Sequence, residues 1–251
     1  MTYIDYCTQN NYYLVLNGVE DRLQLVIGSA QDVYYAWEMR VLKQGMRYLP
    51  PAVEQGLQAS GLSVDDLSGI ACVCGPGNFT GLRIVLSIAS GMNRGSGVPL
   101  AGLEYLPLLS KAPCSQNLGE VWVLTHARRE LVYAQGFAAP AGSPLASPGA
   151  FYLQEITGVL EKRRENIYLL GSGVRKNLDY FQNNLPHAAI LDSLWDRVDI
   201  NILLREAISA SYAQEAVQPL YLRKSDAEEN IEKIAWERGM DPDQASRFIQ
   251  T

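Results

Sequence analysis

Ile70-Ala71-Cys72-Val73-Cys74-Gly75-Pro76-Gly77-Asn78-Phe79-Thr80-Gly81-Leu82-Arg83-Ile84 is an apolar run that breaks at a glycine-rich turn and restarts as a helix. Ile70 to Cys74 fits a strand buried on both faces of an α/β sheet, since a strand covered on one side only would alternate. Gly75 and Gly77 permit backbone angles that side chains forbid, and Pro76 stiffens the turn between them. Asn78 or Thr80 caps the helix through a side-chain oxygen. One reading makes Gly75, Gly77, Asn78, Thr80, Gly81 and Arg83 a phosphate or nucleotide turn, because backbone N–H groups and the positive end of a helix dipole converge there. The other makes it a tight strand-to-helix connection whose glycines serve close packing. No Gly-Lys-Ser/Thr follows, so it is not a Walker A loop, and Thr80 stands where the dinucleotide fingerprint needs its third glycine.

Outward from that stretch, 251 residues suffice for two modest domains, and 47% hydrophobic residues without a low-complexity tract describe an ordinary globular chain. No apolar run approaches the roughly 18 residues that span a bilayer, and Met1 to Tyr13 is too polar for a signal peptide, so a cytoplasmic protein is expected. Cys7, Cys72, Cys74 and Cys114 have neither disulfide-framework density nor metal spacing, and no metal site is expected. A net charge of −6 with no basic cluster argues against autonomous nucleic-acid binding.

Tyr3 to Thr8, Tyr12 to Asn17 and Arg22 to Ile27 read as an antiparallel meander. Leu42, Met46, Leu49, Val53 and Leu57 then mark a helix face, with Pro50-Pro51 forcing a kink or a late start. The helix after the glycine turn, Phe79 to Asn93, is apolar on most faces, and Ser87, Ser90 and Gly91 would let another backbone approach closely. Val98 to Ala101 is a strand. Glu120 to Thr125 and Leu131 to Phe137 form a strand pair joined by the turn His126 to Glu130. Ile167 to Leu170, Gly171-Ser172-Gly173 and the helix through Phe181 repeat the strand, glycine turn and helix, and Asn201 to Gln214 forms the last helix of that second unit. Ser225-Asp226-Ala227-Glu228 is a capping box opening a charged helix with a thin Ile231, Ile234, Ala235 stripe, read as a solvated tail.

The run Gly75 to Ile84 resembles the GPGSFTGLRIG signature of the TsaB (YeaZ) family, whose members take part in making threonylcarbamoyladenosine (t6A) in tRNA. Ile4-Asp5 resembles the opening I-D-T of that family, and Ala127-Arg128-Arg129 with Val132-Tyr133 its D-A-R-x-x-E-V-Y strand pair. Gly171-Ser172-Gly173 is similar to its second glycine turn and Pro219-Leu220-Tyr221-Leu222-Arg223 to its P-x-Y-L-R ending. The resemblance implies an α/β actin/hexokinase/Hsp70-like fold of two related halves, residues 1–103 and 104–223, followed by the tail 224–251. It implies a non-catalytic scaffold that activates a TsaD-type catalytic subunit, with a TsaE-type ATPase joining, tRNA met only through the complex, and a homodimer in isolation. No cofactor of its own is required, weak ATP or ADP binding in the complex aside. The implied partner interface is Leu82, Val85, Leu86, Ser87, Ala89 and Ser90 with Met46 and Leu49.

Tyr6 and Cys7 stand where the family has small residues, His126 replaces its aspartate, and Leu131 its glutamate. In nucleotide-binding relatives of the fold those places hold phosphate and metal. The alternative reading is an ATPase or phosphotransferase acting alone, its cleft marked by Asp5, His126 and Arg128. It needs an acid facing Asp5, and finds His126 there. Neither His-Glu-x-x-His nor a nucleophile and base pair supports a protease.

Overall fold

The computed structural model of the chain describes residues 11–41, 45–163 and 166–223. The chain opens with β1 (Tyr12–Asn17), β2 (Arg22–Gly28) and β3 (Val33–Arg40), then α1 (Leu49–Ala59), β4 (Leu67–Gly75), α2 (Phe79–Ser96), β5 (Leu100–Glu104) and α3 (Tyr105–Cys114). It continues through β6 (Glu120–Arg128), β7 (Leu131–Ala138), β8 (Ser143–Pro144), β9 (Gly149–Tyr152), α4 (Leu153–Leu160) and β10 (Ile167–Leu170). The remainder is α5 (Ser172–Lys176), α6 (Leu178–Asn184), β11 (Ala189–Ile190) and α7 (Ile200–Ile208). By internal contacts Met1–Leu220 is one unit and Tyr221–Thr251 another, and of the second only residues 221–223 are described. The Tyr3 to Thr8 strand and the charged tail of the sequence reading lie outside the described residues.

The first sheet runs β3-β2-β1-β4-β5. Its β1–β2 and β2–β3 pairs are antiparallel, and its β1–β4 and β4–β5 pairs parallel. The second runs β11-β10-β6-β7-β8, with β9 also on β7. Its β6–β7 and β7–β9 pairs are antiparallel, and its β6–β10 and β10–β11 pairs parallel. The same pattern of directions is thus built twice, and each time the strand beside the central one ends in a glycine turn that opens a helix.

Local chemistry explains the elements. Pro50 and Pro51 occupy the first turn of α1, where their missing N–H groups cost nothing, which makes the late start the correct alternative. Leu49, Val53 and Leu57 of α1 pack with Val85, Leu86 and Ala89 of α2 against Leu14, Leu16, Leu23, Leu25 and Ile70 of the first sheet. β3 has no clear strand signature in the sequence, since Val33-Tyr34-Tyr35-Ala36-Trp37-Glu38 mixes aromatic and polar residues, a pattern that a half-buried edge strand tolerates. The second core gathers Leu124, Val132, Ala134, Ile156, Leu169, Val174 and Phe181.

The last helix departs from its expected place. Asp199 caps α7 by accepting from the Asn201 N–H at 2.8 Å, and α7 packs on β1 and β2 of the first sheet rather than on the second. The chain stays there: Leu100 and Ala213 exchange backbone bonds of 2.8 and 2.9 Å, and the Leu220 N–H donates to the Cys74 carbonyl at 2.8 Å. Apolar Ile202, Leu203, Leu204 and Ala207, all buried, supply the reason.

Glu120 ties the second sheet to the turn after α4. It accepts from Arg163 Nε and Nη2 at 2.7 and 2.9 Å and from the Trp122 indole at 3.1 Å. Glu120→Ala leaves a half-buried guanidinium and a buried indole N–H without their acceptor. It is expected to cost roughly 2–3 kcal/mol in urea unfolding. A loss under about 0.5 kcal/mol, the level of an exposed pair, would refute that account.

Candidate functional site

The glycine turn is packed against its own chain. Asn78 is the cap: its Oδ1 accepts from the Thr80 and Gly81 N–H groups at 3.0 and 3.4 Å, while its own N–H donates to the Val19 carbonyl at 2.8 Å. A Cβ added at Gly81 would overlap the Gly18 carbonyl oxygen, and one at Gly77 would lie 2.6 Å from the Val19 oxygen and collide with the Val19 side chain. Gly75 has φ +119°, where side chains are strained. The β1–β2 turn, Gly18 to Asp21, therefore sits in the space that a phosphate-cradling turn leaves open, and several converging N–H groups are already bonded.

Asp5 lies outside the described residues. The central strand of the first sheet is β1, which ends in Asn17 rather than an aspartate. Asn17 Nδ2 donates to Gln24 Oε1 at 2.8 Å, and its Oδ1 accepts from the Val19 N–H at 3.2 Å.

In the second sheet, His126 lies half-buried two residues before the end of β6, and its backbone N–H donates to Ser172 Oγ at 2.9 Å. Burial, and then the nearby Lys176 charge, hold its imidazole below the usual histidine pKa. Among the described residues its Nδ1 and the Thr125 hydroxyl have no hydrogen-bond partner. Arg128 Nη2 donates to the Tyr152 hydroxyl at 3.1 Å, which directs it to β9. Gly171 and Gly173 pack on the Leu124 carbonyl much as Gly77 and Gly81 pack on the first turn. Missed in the sequence were Glu20, which bonds Ser172 and Tyr105, and Asp196, which accepts from Arg175 Nε and the Gly171 N–H, each at 2.6 Å. Glu20-Asp21, two acids inside a tight turn, were the available signal. No cluster of three or more His, Cys, Asp or Glu among the described residues is placed to hold a metal ion.

The α2 assignments divide by helical phase. Leu82, Val85, Leu86 and Ala89 are buried in the chain's own core, as is Leu49, because spacings of three and four put them on the sheet side. They correct the interface expected above; the Met46 side chain lies outside the described set. The outward face carries Arg83, Ser87, Ser90, Gly91 and Arg94. With Val217 and Pro219, and the edge of Leu86, they line a groove of about 470 Å3. A Cβ at Gly91 or Gly95 would meet nothing within 4 Å.

Two sheets of one repeated topology, each feeding a glycine turn that opens a helix, define a protein of the actin/hexokinase/Hsp70-like fold. The structure matches a YeaZ-like protein from Pseudomonas aeruginosa with TM-score 0.70 at 19% identity, covering 85% of this chain and 100% of that one. YeaZ from the same organism matches at TM-score 0.68 and 19% identity, over 84% and 100%. In sequence, residues 41–143 match the family model described as "TsaD: tRNA N6-adenosine threonylcarbamoyltransferase". An uncharacterized Mycobacterium tuberculosis protein is 35% identical over 34% of this chain and 38% of its own length. The tRNA threonylcarbamoyladenosine biosynthesis protein TsaB of Escherichia coli is 36% identical over 27% and 29%, and that of Haemophilus influenzae 24% identical over 69% and 77%. Within that fold, the chain is similar in sequence and in structure to TsaB (YeaZ) proteins. The match spans 38% of the length of the Mycobacterium tuberculosis relative. No helix among the described residues is long and apolar enough to cross a membrane.

Proposed function

We propose that the chain is a non-catalytic scaffold of a cytoplasmic t6A-synthesising complex, binding and activating a TsaD-type catalytic subunit through the outward face of α2. The relatives named for t6A biosynthesis supply the pathway. The observation that carries the mode of action is Gly91 with Gly95 on a solvent-facing helix. Each glycine costs a helix about 1 kcal/mol relative to alanine, and neither relieves any contact inside the chain. Close approach of a second helix over Ser87, Gly91 and Gly95 recovers that cost. The same face serves a homodimer when the partner is absent, a TsaE-type ATPase joins the pair, and tRNA is met only through the complex. The chain requires no cofactor, because the Gly18 to Asp21 turn occupies the cradle; weak ATP or ADP binding belongs to the complex.

The test is sedimentation velocity of the purified chain with its cognate TsaD-type subunit, with and without ATP. A one-to-one complex is the expected result. Absence of a complex, together with ATP hydrolysis by the chain alone, would overturn the scaffold reading in favour of an ATPase or phosphotransferase.

A further inference from the structure

We propose that the Gly18–Asp21 turn is a clasp joining the glycine turns of the two sheets, with the Glu20 carboxyl as its catch and its grip set by pH. On one side the turn is bolted to the first glycine turn by the Asn78 N–H to Val19 carbonyl bond, 2.8 Å, and by the packing of Gly77 and Gly81. On the other, one Glu20 oxygen bonds the Ser172 hydroxyl of the second glycine turn, and the other accepts from the Tyr105 hydroxyl of α3 at 2.9 Å. Ser172 Oγ also accepts from the His126 N–H. A continuous line of bonds thus runs from the end of β4 to the end of β6 through one carboxyl group.

Both groups that bind Glu20 are hydroxyls, not cations. Facing it are Asp21 from its own turn, Tyr105 from α3, Ser172 from α5, and Asp196 from the turn before α7, itself bound by Arg175. Burial, the largest effect, pushes the Glu20 carboxyl above its ordinary value of 4.5; Ser172 and Tyr105 pull it back, and the Asp21 and Asp196 charges push it up again. Tyr105 stays a phenol, its own pKa raised by the same burial and by Glu20. The closed clasp therefore binds the Glu20 proton more tightly than an open, hydrated Glu20 does. Its stabilisation is complete below 4.5 and is lost as pH rises through the raised value. In that window each pH unit multiplies the open-to-closed ratio by about ten.

Hydrogen exchange by mass spectrometry on the full chain tests this, comparing wild type with Glu20→Gln from about pH 4.5 to about pH 8. Glutamine makes the neutral bonds at every pH. Peptides covering residues 18–21, 75–81 and 171–174 should lose protection with pH in wild type about tenfold per unit faster than in Glu20→Gln, within the window. Identical pH dependence in the two proteins overturns the proposal. Ser172→Ala, which leaves Glu20 in place, should raise exchange of residues 18–21 at low pH several-fold. Unchanged exchange there would equally overturn it.

Discussion

Gly81→Ala should cost the chain roughly 3 kcal/mol or more in urea unfolding, enough to leave a marginally stable protein largely unfolded. The substitution adds one methyl group to a helix, where alanine is intrinsically the better residue. Its destination decides the sign. The new Cβ falls on the Gly18 carbonyl oxygen, and the obstacle is backbone rather than the end of a flexible side chain. For α2 to back away it would have to break the Asn78 N–H to Val19 carbonyl bond and disturb Leu82 and Val85, both fully buried. A cost under about 1 kcal/mol would mean that the β1–β2 turn yields freely, and that the glycine turn is not held by it.

Ten residues along the same helix the same reasoning reverses. Gly91→Ala should stabilise the isolated chain by up to about 1 kcal/mol, since its Cβ meets nothing within 4 Å. Gly91→Trp should leave the fold intact and weaken association with a TsaD-type subunit by about 100-fold or more, because an indole standing in the groove holds a facing helix away from Ser87 and Gly95. Ser87→Arg should act alike by adding charge beside Arg83 and Arg94. Circular dichroism melts and sedimentation with the partner separate the two effects. Unaltered binding by Gly91→Trp would remove α2 from the interface.

The sequence was most legible where one element has one explanation. Ile70 to Cys74 reads as a strand covered on both faces and is one, and Gly97 with its left-handed φ of 76° ends α2 a few residues beyond the end read from the sequence. The repeated strand, glycine turn and helix at Ile167 to Phe181 gave the second half for the same reason. Legibility failed where the answer depends on phase or distance. The apolar content of α2 was plain, but which residues face the sheet follows only from the helix's rotation, so Leu82, Val85 and Ala89 were assigned to a partner. Leu16-Asn17 ends the central strand, and Ile4-Asp5, which resembles the opening I-D-T, lies outside the described residues. Glu20 was passed over as a turn acid because its partners, Tyr105 and Ser172, lie 85 and 152 residues away in sequence.

The placement of α7 has a consequence for how the protein is made. The face of β1 and β2 that α7 covers includes Val15 and Val26, fully buried in the finished molecule. All five described strands of the first sheet have been synthesised by Glu104, yet the helix that covers this face begins at Ile200. At roughly 5–20 residues per second, the nascent sheet waits about 5–20 s with an apolar side uncovered. The first half is therefore completed last, after the second has been synthesised, and a chain cut before Ile200 would present that side to chaperones rather than a finished lobe.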